Sequence, residues 1–130
     1  MKTVLITDDE PHVIRVLKLS LERQGYIVDT VLNGLAAWGK LQEAQPDVLI
    51  ADIQMPMMTG RELCEKIAAE MPNRQFLIFI MTSRTEIEHR EWSRGIPNLM
   101  FLEKPVSMRK LLSMLDDYFK RFPGRSAQHG

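Results

Sequence analysis

Three carboxylates, a hydroxyl and a lysine stand where apolar runs of this sequence end. Asp8 and Asp9 follow Val4-Leu5-Ile6-Thr7, and Asp52 closes Val48-Leu49-Ile50-Ala51. Thr82-Ser83 follow the apolar run 76–81, and Lys104-Pro105 follow Leu99-Met100-Phe101-Leu102-Glu103. Carboxylates packed together repel one another, and at least one pKa rises unless a cation is present. A hard divalent ion relieves that repulsion: Mg²⁺ takes oxygen ligands and keeps waters for a phosphate substrate. Thr82 adds a hydroxyl, and Lys104 a point charge suited to phosphoryl oxygens. Together these groups suit phosphoryl transfer to an aspartate nucleophile. Nucleotide phosphate loops are absent, since the chain contains neither GxxxxGK[ST] nor GxGxxG.

The elements that must position these groups are legible from the apolar pattern. Four apolar residues in a row before Asp52 read as a strand buried on both faces of a parallel sheet. An acid at its end lies at the carboxyl edge, where open α/β sheets place their sites. Met55-Pro56 turns the chain away, because the residue before proline is pushed out of the helical region. Residues 2–7 form the first strand. Pro11 opens a helix whose face carries Val13, Ile14, Val16, Leu17 and Leu21 and which closes near Gln24-Gly25. Residues 26–31 form a second strand, bounded by the turn signal Asn33-Gly34. A helix over 35–44 follows, with Trp38 as a packing residue. Thr59-Gly60-Arg61-Glu62 opens a third helix that ends at Pro72-Asn73, and 76–81 is the fourth strand. The stretch 85–94 reads as a poorly amphipathic helix whose only large apolar residues are Ile87 and Trp92. The fifth strand covers 99–102. Ser107 caps a last helix with Met108, Leu111, Leu112, Leu115, Phe119 and Phe122 at helical spacing. The alternation βαβαβαβαβα makes this an α/β chain, a three-layer doubly wound five-stranded parallel sheet under right-handed crossovers.

The totals are consistent with one such domain of 130 residues. With 17 basic and 17 acidic side chains, no basic excess points to nucleic acid. One cysteine, Cys64, excludes an internal disulfide and reads as a small buried residue. No signal peptide or membrane-length apolar run is visible, so the expected location is the cytoplasm, with no membrane contact.

Taken together, Asp8-Asp9, the segment Asp52-Ile53-Gln54-Met55-Pro56-Met57-Met58-Thr59-Gly60, Thr82-Ser83 and Lys104-Pro105 resemble the receiver domain of bacterial two-component response regulators. The likeness runs over about residues 2–122, in order and spacing, and leaves 123–130 as a polar tail or a cut linker. It implies a flavodoxin-like (βα)5 fold with strand order 2-1-3-4-5, the arrangement that the general rule for such sheets itself illustrates with a receiver. It implies that Asp52 accepts a phosphoryl group from a sensor histidine kinase or phosphotransfer protein. Asp9, Asp52 and the main-chain carbonyl of Gln54 are then expected to bind Mg²⁺, with Asp8 reaching it through water. Lys104 holds the phosphoryl oxygens, and its bond to Pro105 is cis. Thr82 and Phe101 form a switch pair that alters the surface of the fourth helix, fifth strand and fifth helix. Such a protein is a switch rather than an enzyme, with self-catalysed phosphorylation and autodephosphorylation. Its output passes to a downstream protein or a fused domain.

Departures from the family pattern are local. Thr59 stands where Asp is frequent, and Ser83 where Ala is. Gln54 and Arg84 flank the phosphoryl position with Ser83 and Pro105, and they are expected to tune its lifetime. The segment before Phe101 lacks the acidic pair of the transcription-factor subgroup that dimerises through this face. His12, His89 and His129 read as solvated and unconnected, and Trp92 as either a partner contact or half-buried packing. Two other functions compete. A receiver-like interaction module without regulated phosphorylation is opposed by the intact acids, Thr82 and Lys104. A Mg²⁺-dependent phosphohydrolase lacks its Asp-x-Asp motif and substrate cap here.

Overall fold

A computed structural model describes residues 2–83 and 89–122. The order of elements is β1 (Thr3–Thr7), α1 (Pro11–Arg23), β2 (Ile27–Val31), α2 (Gly34–Glu43), β3 (Val48–Asp52), α3 (Gly60–Glu70), β4 (Leu77–Thr82), α4 (Arg90–Ser93), β5 (Leu99–Glu103) and α5 (Met108–Arg121). All strand pairs are parallel, and the sheet order is β2-β1-β3-β4-β5, as expected. The expected strand and helix ends differ from the observed ones by one or two residues. The helix expected over 85–94 meets an observed one only at α4, and Arg84 and Ile87 lie outside the described residues. The tail 123–130, with His129, also lies outside them.

The burial pattern follows the period of two that a strand imposes. Val4, Ile6, Val48, Ile50, Leu77 and Phe79 face one layer, where Ile14, Leu17, Leu21, Leu111 and Leu115 of α1 and α5 cover them. Leu5, Leu49, Ala51, Ile78 and Ile80 face the other, against Ala37, Trp38, Leu41, Leu63, Cys64 and Ile67 of α2 and α3. β3 and β4 are buried at every residue, as central strands between two helical layers must be. The outer strands β2 and β5 are only partly covered. This places the rigid middle of the sheet directly beneath Asp52 and Thr82.

Caps set the helix starts. Thr59 and Glu62 form a reciprocal capping box on α3, which explains how threonine serves at this turn. Asn33 and Ser107 accept from the backbone N–H groups of Ala36 and Lys110. Gly60 has a different reason: a Cβ there would lie 2.5 Å from the Asp52 carbonyl oxygen and 2.9 Å from Ile53 Cα. Glycine alone lets α3 begin this close to the end of β3.

Candidate functional site

Register carries the chemistry-bearing residues to one edge. Thr7 pairs with Ala51, Asp52 with Met81, and Thr82 with Glu103. Asp8 therefore leaves β1 level with Asp52, and Lys104 leaves β5 one step beyond Thr82. The Lys104 backbone N–H donates to the Thr82 carbonyl oxygen at 2.8 Å, fixing that exit. The Lys104-Pro105 peptide is cis.

Asp8, Asp52 and Thr82 are buried, whereas Asp9 and Gln54 are exposed. Lys104 Nζ lies 3.1 Å from Asp52 Oδ2, 3.6 Å from Asp8 Oδ2 and 3.4 Å from Glu10 Oε1. Asp8, Asp9, Glu10 and Asp52 each bring a carboxylate oxygen to a point where all four lie within 4.8 Å of one another. Glu10, which the sequence shows only as the acid before the helix-opening Pro11, joins this cluster. Its signal in the sequence is faint, an acid directly after the pair Asp8-Asp9; in the fold its backbone N–H donates to Asp8 Oδ1 at 2.9 Å.

The electrostatics follow from this crowding. Burial pushes the Asp52 carboxyl above its ordinary range, with the Asp9 charge adding to it, and Lys104 only partly offsets the rise. Asp8 is raised as well, first by burial and then by the charge of Asp52. Burial pulls the Lys104 ammonium down, but the hydrogen bond and charge of Asp52, with Asp8 and Glu10, outweigh it and hold it net raised. One lysine therefore faces more negative charge than it neutralises. Asp8 Oδ2 is buried without a hydrogen-bond partner, which an oxygen normally avoids unless an ion or water serves it. A buried orphan oxygen among hard carboxylate donors fits Mg²⁺ or a similar divalent cation.

The flanking residues divide differently. Ser83 and Pro105 are exposed at the rim, and Arg84 lies outside the described residues. Phe101 is half-buried at the edge of the α2–α3 core layer. Trp92 is half-buried and packs edge-on against Phe101, with ring centroids 6.1 Å apart. His12 is exposed, as expected, although its Nε2 lies 3.9 Å from Glu10 Oε2. The expectation for His89 does not hold. His89 is half-buried, 3.2 Å from Thr82 Oγ1, and accepts from the Trp92 indole N–H at 3.1 Å. Sequence spacing hid this because the contact depends on where α4 packs. A histidine three residues before a tryptophan on a helix was its only trace.

Known proteins place this geometry in context. The family model for the response regulator receiver domain matches residues 4–116. The response regulator GtcR of Aneurinibacillus migulanus is 28% identical over 120 residues, covering 92% of this chain and 48% of that protein. The phosphate regulon transcriptional regulatory protein PhoB of Rhizobium meliloti is 30% identical over 118 residues, covering 91% and 52%. The chain thus spans about half the length of these curated relatives. The chemotaxis response regulator CheY4 of Vibrio cholerae superposes with a TM-score of 0.81 at 30% identity, over 90% of this chain and 98% of that one. The chain belongs to the response regulator receiver domain family of two-component signal transduction.

Proposed function

We propose that the chain is a phosphoacceptor switch in which Asp52 takes a phosphoryl group from the phosphohistidine of a sensor kinase or phosphotransfer protein. The observation that carries this reading is the buried Asp52 carboxylate, 3.1 Å from Lys104 and inside a cluster of four acids. An Asp52 oxygen attacks phosphorus, the phosphorus–nitrogen bond of the donor breaks, and the electron pair leaves with the imidazole. Lys104 then neutralises the phosphoryl oxygens. Asp9, Asp52 and the Gln54 main-chain carbonyl would hold Mg²⁺, with Asp8 acting through water; the ion would supply charge neutralisation at the transferring oxygens. Gln54, Ser83 and Pro105 border the phosphoryl group and control access of the water that later removes it.

Output follows from new charge-assisted hydrogen bonds on a two-state element. Thr82 turns to the phosphoryl group, Phe101 follows, and the α4-β5-α5 surface changes for a downstream protein or an output domain. With 17 basic side chains balanced by 17 acidic ones, no basic excess supports direct nucleic-acid contact by the chain itself. The setting is the cytoplasm, where the buried Cys64 stays reduced. No helix among the described residues is long and apolar enough to cross a membrane.

Intact-protein mass after incubation with Mg²⁺ and acetyl phosphate tests the reading. One phosphoryl adduct is expected, dependent on Mg²⁺ and absent from Asp52→Asn. A folded native chain that takes up none would instead favour an interaction module independent of phosphorylation.

A further inference from the structure

His89 is the one histidine among the described residues that touches the switch pair. Its ring makes three contacts that together define its protonation. The Trp92 Nε1–H donates to His89 Nδ1 at 3.1 Å, and an indole nitrogen can only donate. Nδ1 is therefore the bare nitrogen, and the single proton of the neutral ring sits on Nε2. Nε2 lies 3.2 Å from Thr82 Oγ1, so the imidazole donates and the hydroxyl oxygen accepts. The same ring stacks on Phe101, with centroids 5.5 Å apart and planes 19° from parallel.

Sheet order gives this contact a direction. β4 lies between β3 and β5. Asp52 ends β3, whereas the imidazole sits on Phe101 of β5. A Thr82 oxygen aimed at His89 is thus turned toward the β5 side, away from the strand that carries the phosphoacceptor. We propose that His89 is a positioning residue, a neutral latch that holds Thr82 on the β5 side and ties its movement to Phe101. The proposal rests on the phosphoacceptor reading above. When Thr82 crosses to a phosphoryl group on Asp52, Nε2–H loses its acceptor in a half-buried place. The imidazole must then re-seat, and Phe101, stacked on it, moves with it. The latch opposes activation and makes it concerted.

Beryllofluoride, which adds to an aspartate carboxylate as a phosphoryl mimic, supplies the test. Its affinity in the presence of Mg²⁺ would be measured by calorimetry for the native chain, His89→Phe and His89→Gln. His89→Phe keeps a stacking ring but gives up the donor, and should bind the mimic about 3- to 10-fold more tightly, the range of one neutral hydrogen bond. His89→Gln keeps an N–H donor at similar reach and should return toward the native value. Long-range ¹H–¹⁵N spectra of the native chain should show His89 protonated on Nε2, with that signal moving when the mimic is added. The Nε2 signal should be altered beforehand in Thr82→Val. Unchanged or weaker binding by His89→Phe, equal effects of Phe and Gln, or a proton on Nδ1 would each overturn the latch. A folded native chain that binds no beryllofluoride would overturn the phosphoacceptor reading and the latch together. Native binding with an unaltered His89→Phe response would remove the latch alone.

Discussion

Asp52 is held in a place unfavourable to its own charge. The residue is buried, its neighbours are acids, and its close cation among the described residues, Lys104, is shared with Asp8 and Glu10. A carboxyl whose pKa is raised by folding binds its proton more tightly in the native state than in the unfolded one. Its ionised form therefore detracts from stability above the folded pKa, and the loss is relieved as pH falls through that value. In metal-free buffer at pH 7, Asp52→Asn should stabilise the fold by about 1 kcal/mol, about 2–6 °C in Tm. The gain should shrink steadily as the pH is lowered toward the ordinary carboxylate range, as paired thermal melts would show. At this scale the sequence was largely readable: Asp8, Asp9, Asp52, Thr82 and Lys104 all end apolar runs, so a parallel sheet brings them to one edge. Glu10 and His89 were not, because neither ends a strand. Each is recruited by packing across the edge, Glu10 to Lys104 and His89 to Thr82 and Phe101.

The turn between β3 and α3 governs how accurately Asp52 is presented. Thr59 and Glu62 cap α3 reciprocally, and Gly60 lets its first turn lie against the Asp52 carbonyl. Thr59→Ala removes only one side of the box and should lower stability by about 1 kcal/mol without changing phosphoryl uptake. Gly60→Ala forces backbone apart at the end of β3. It should destabilise by about 2–4 kcal/mol and also slow uptake, a combination that denaturant titration and phosphorylation kinetics would separate from Thr59→Ala. The capping box was legible, since threonine followed three residues later by glutamate is a start signal. The Gly60 contact was not, because close approach between a strand end and the next helix is a tertiary fact. The central strands were read from their unbroken apolar runs. The stretch 85–94 had only Ile87 and Trp92 to anchor it, and its weak amphipathicity gave periodicity little to work with.

For the whole molecule, the alternation of strands and helices required a parallel sheet, while the order 2-1-3-4-5 came with the resemblance. Periodicity alone does not say on which side of β1 the third strand inserts. The same order brings the acids of β1 and β3 together, and this couples folding to cations. Mg²⁺ that binds the native acid cluster should raise Tm by mass action, as ligand binding to a folded state does. With Asp8 and Asp52 both raised, protons compete for the site. The Mg²⁺-induced gain in Tm should therefore be larger at pH 7.5 than at pH 5.5, and much reduced in Asp52→Asn. A gain independent of pH and of Asp52 would mean that the ion binds elsewhere. The most direct measurement locates the phosphoryl group itself. After incubation with Mg²⁺ and acetyl phosphate, borohydride reduction converts an aspartyl phosphate to homoserine, which peptide mass spectrometry can place. Homoserine at position 52 and nowhere else is the expected result. Its absence from a folded, Mg²⁺-loaded chain, or its appearance at Asp8 or Asp9 instead, would contradict the assignment.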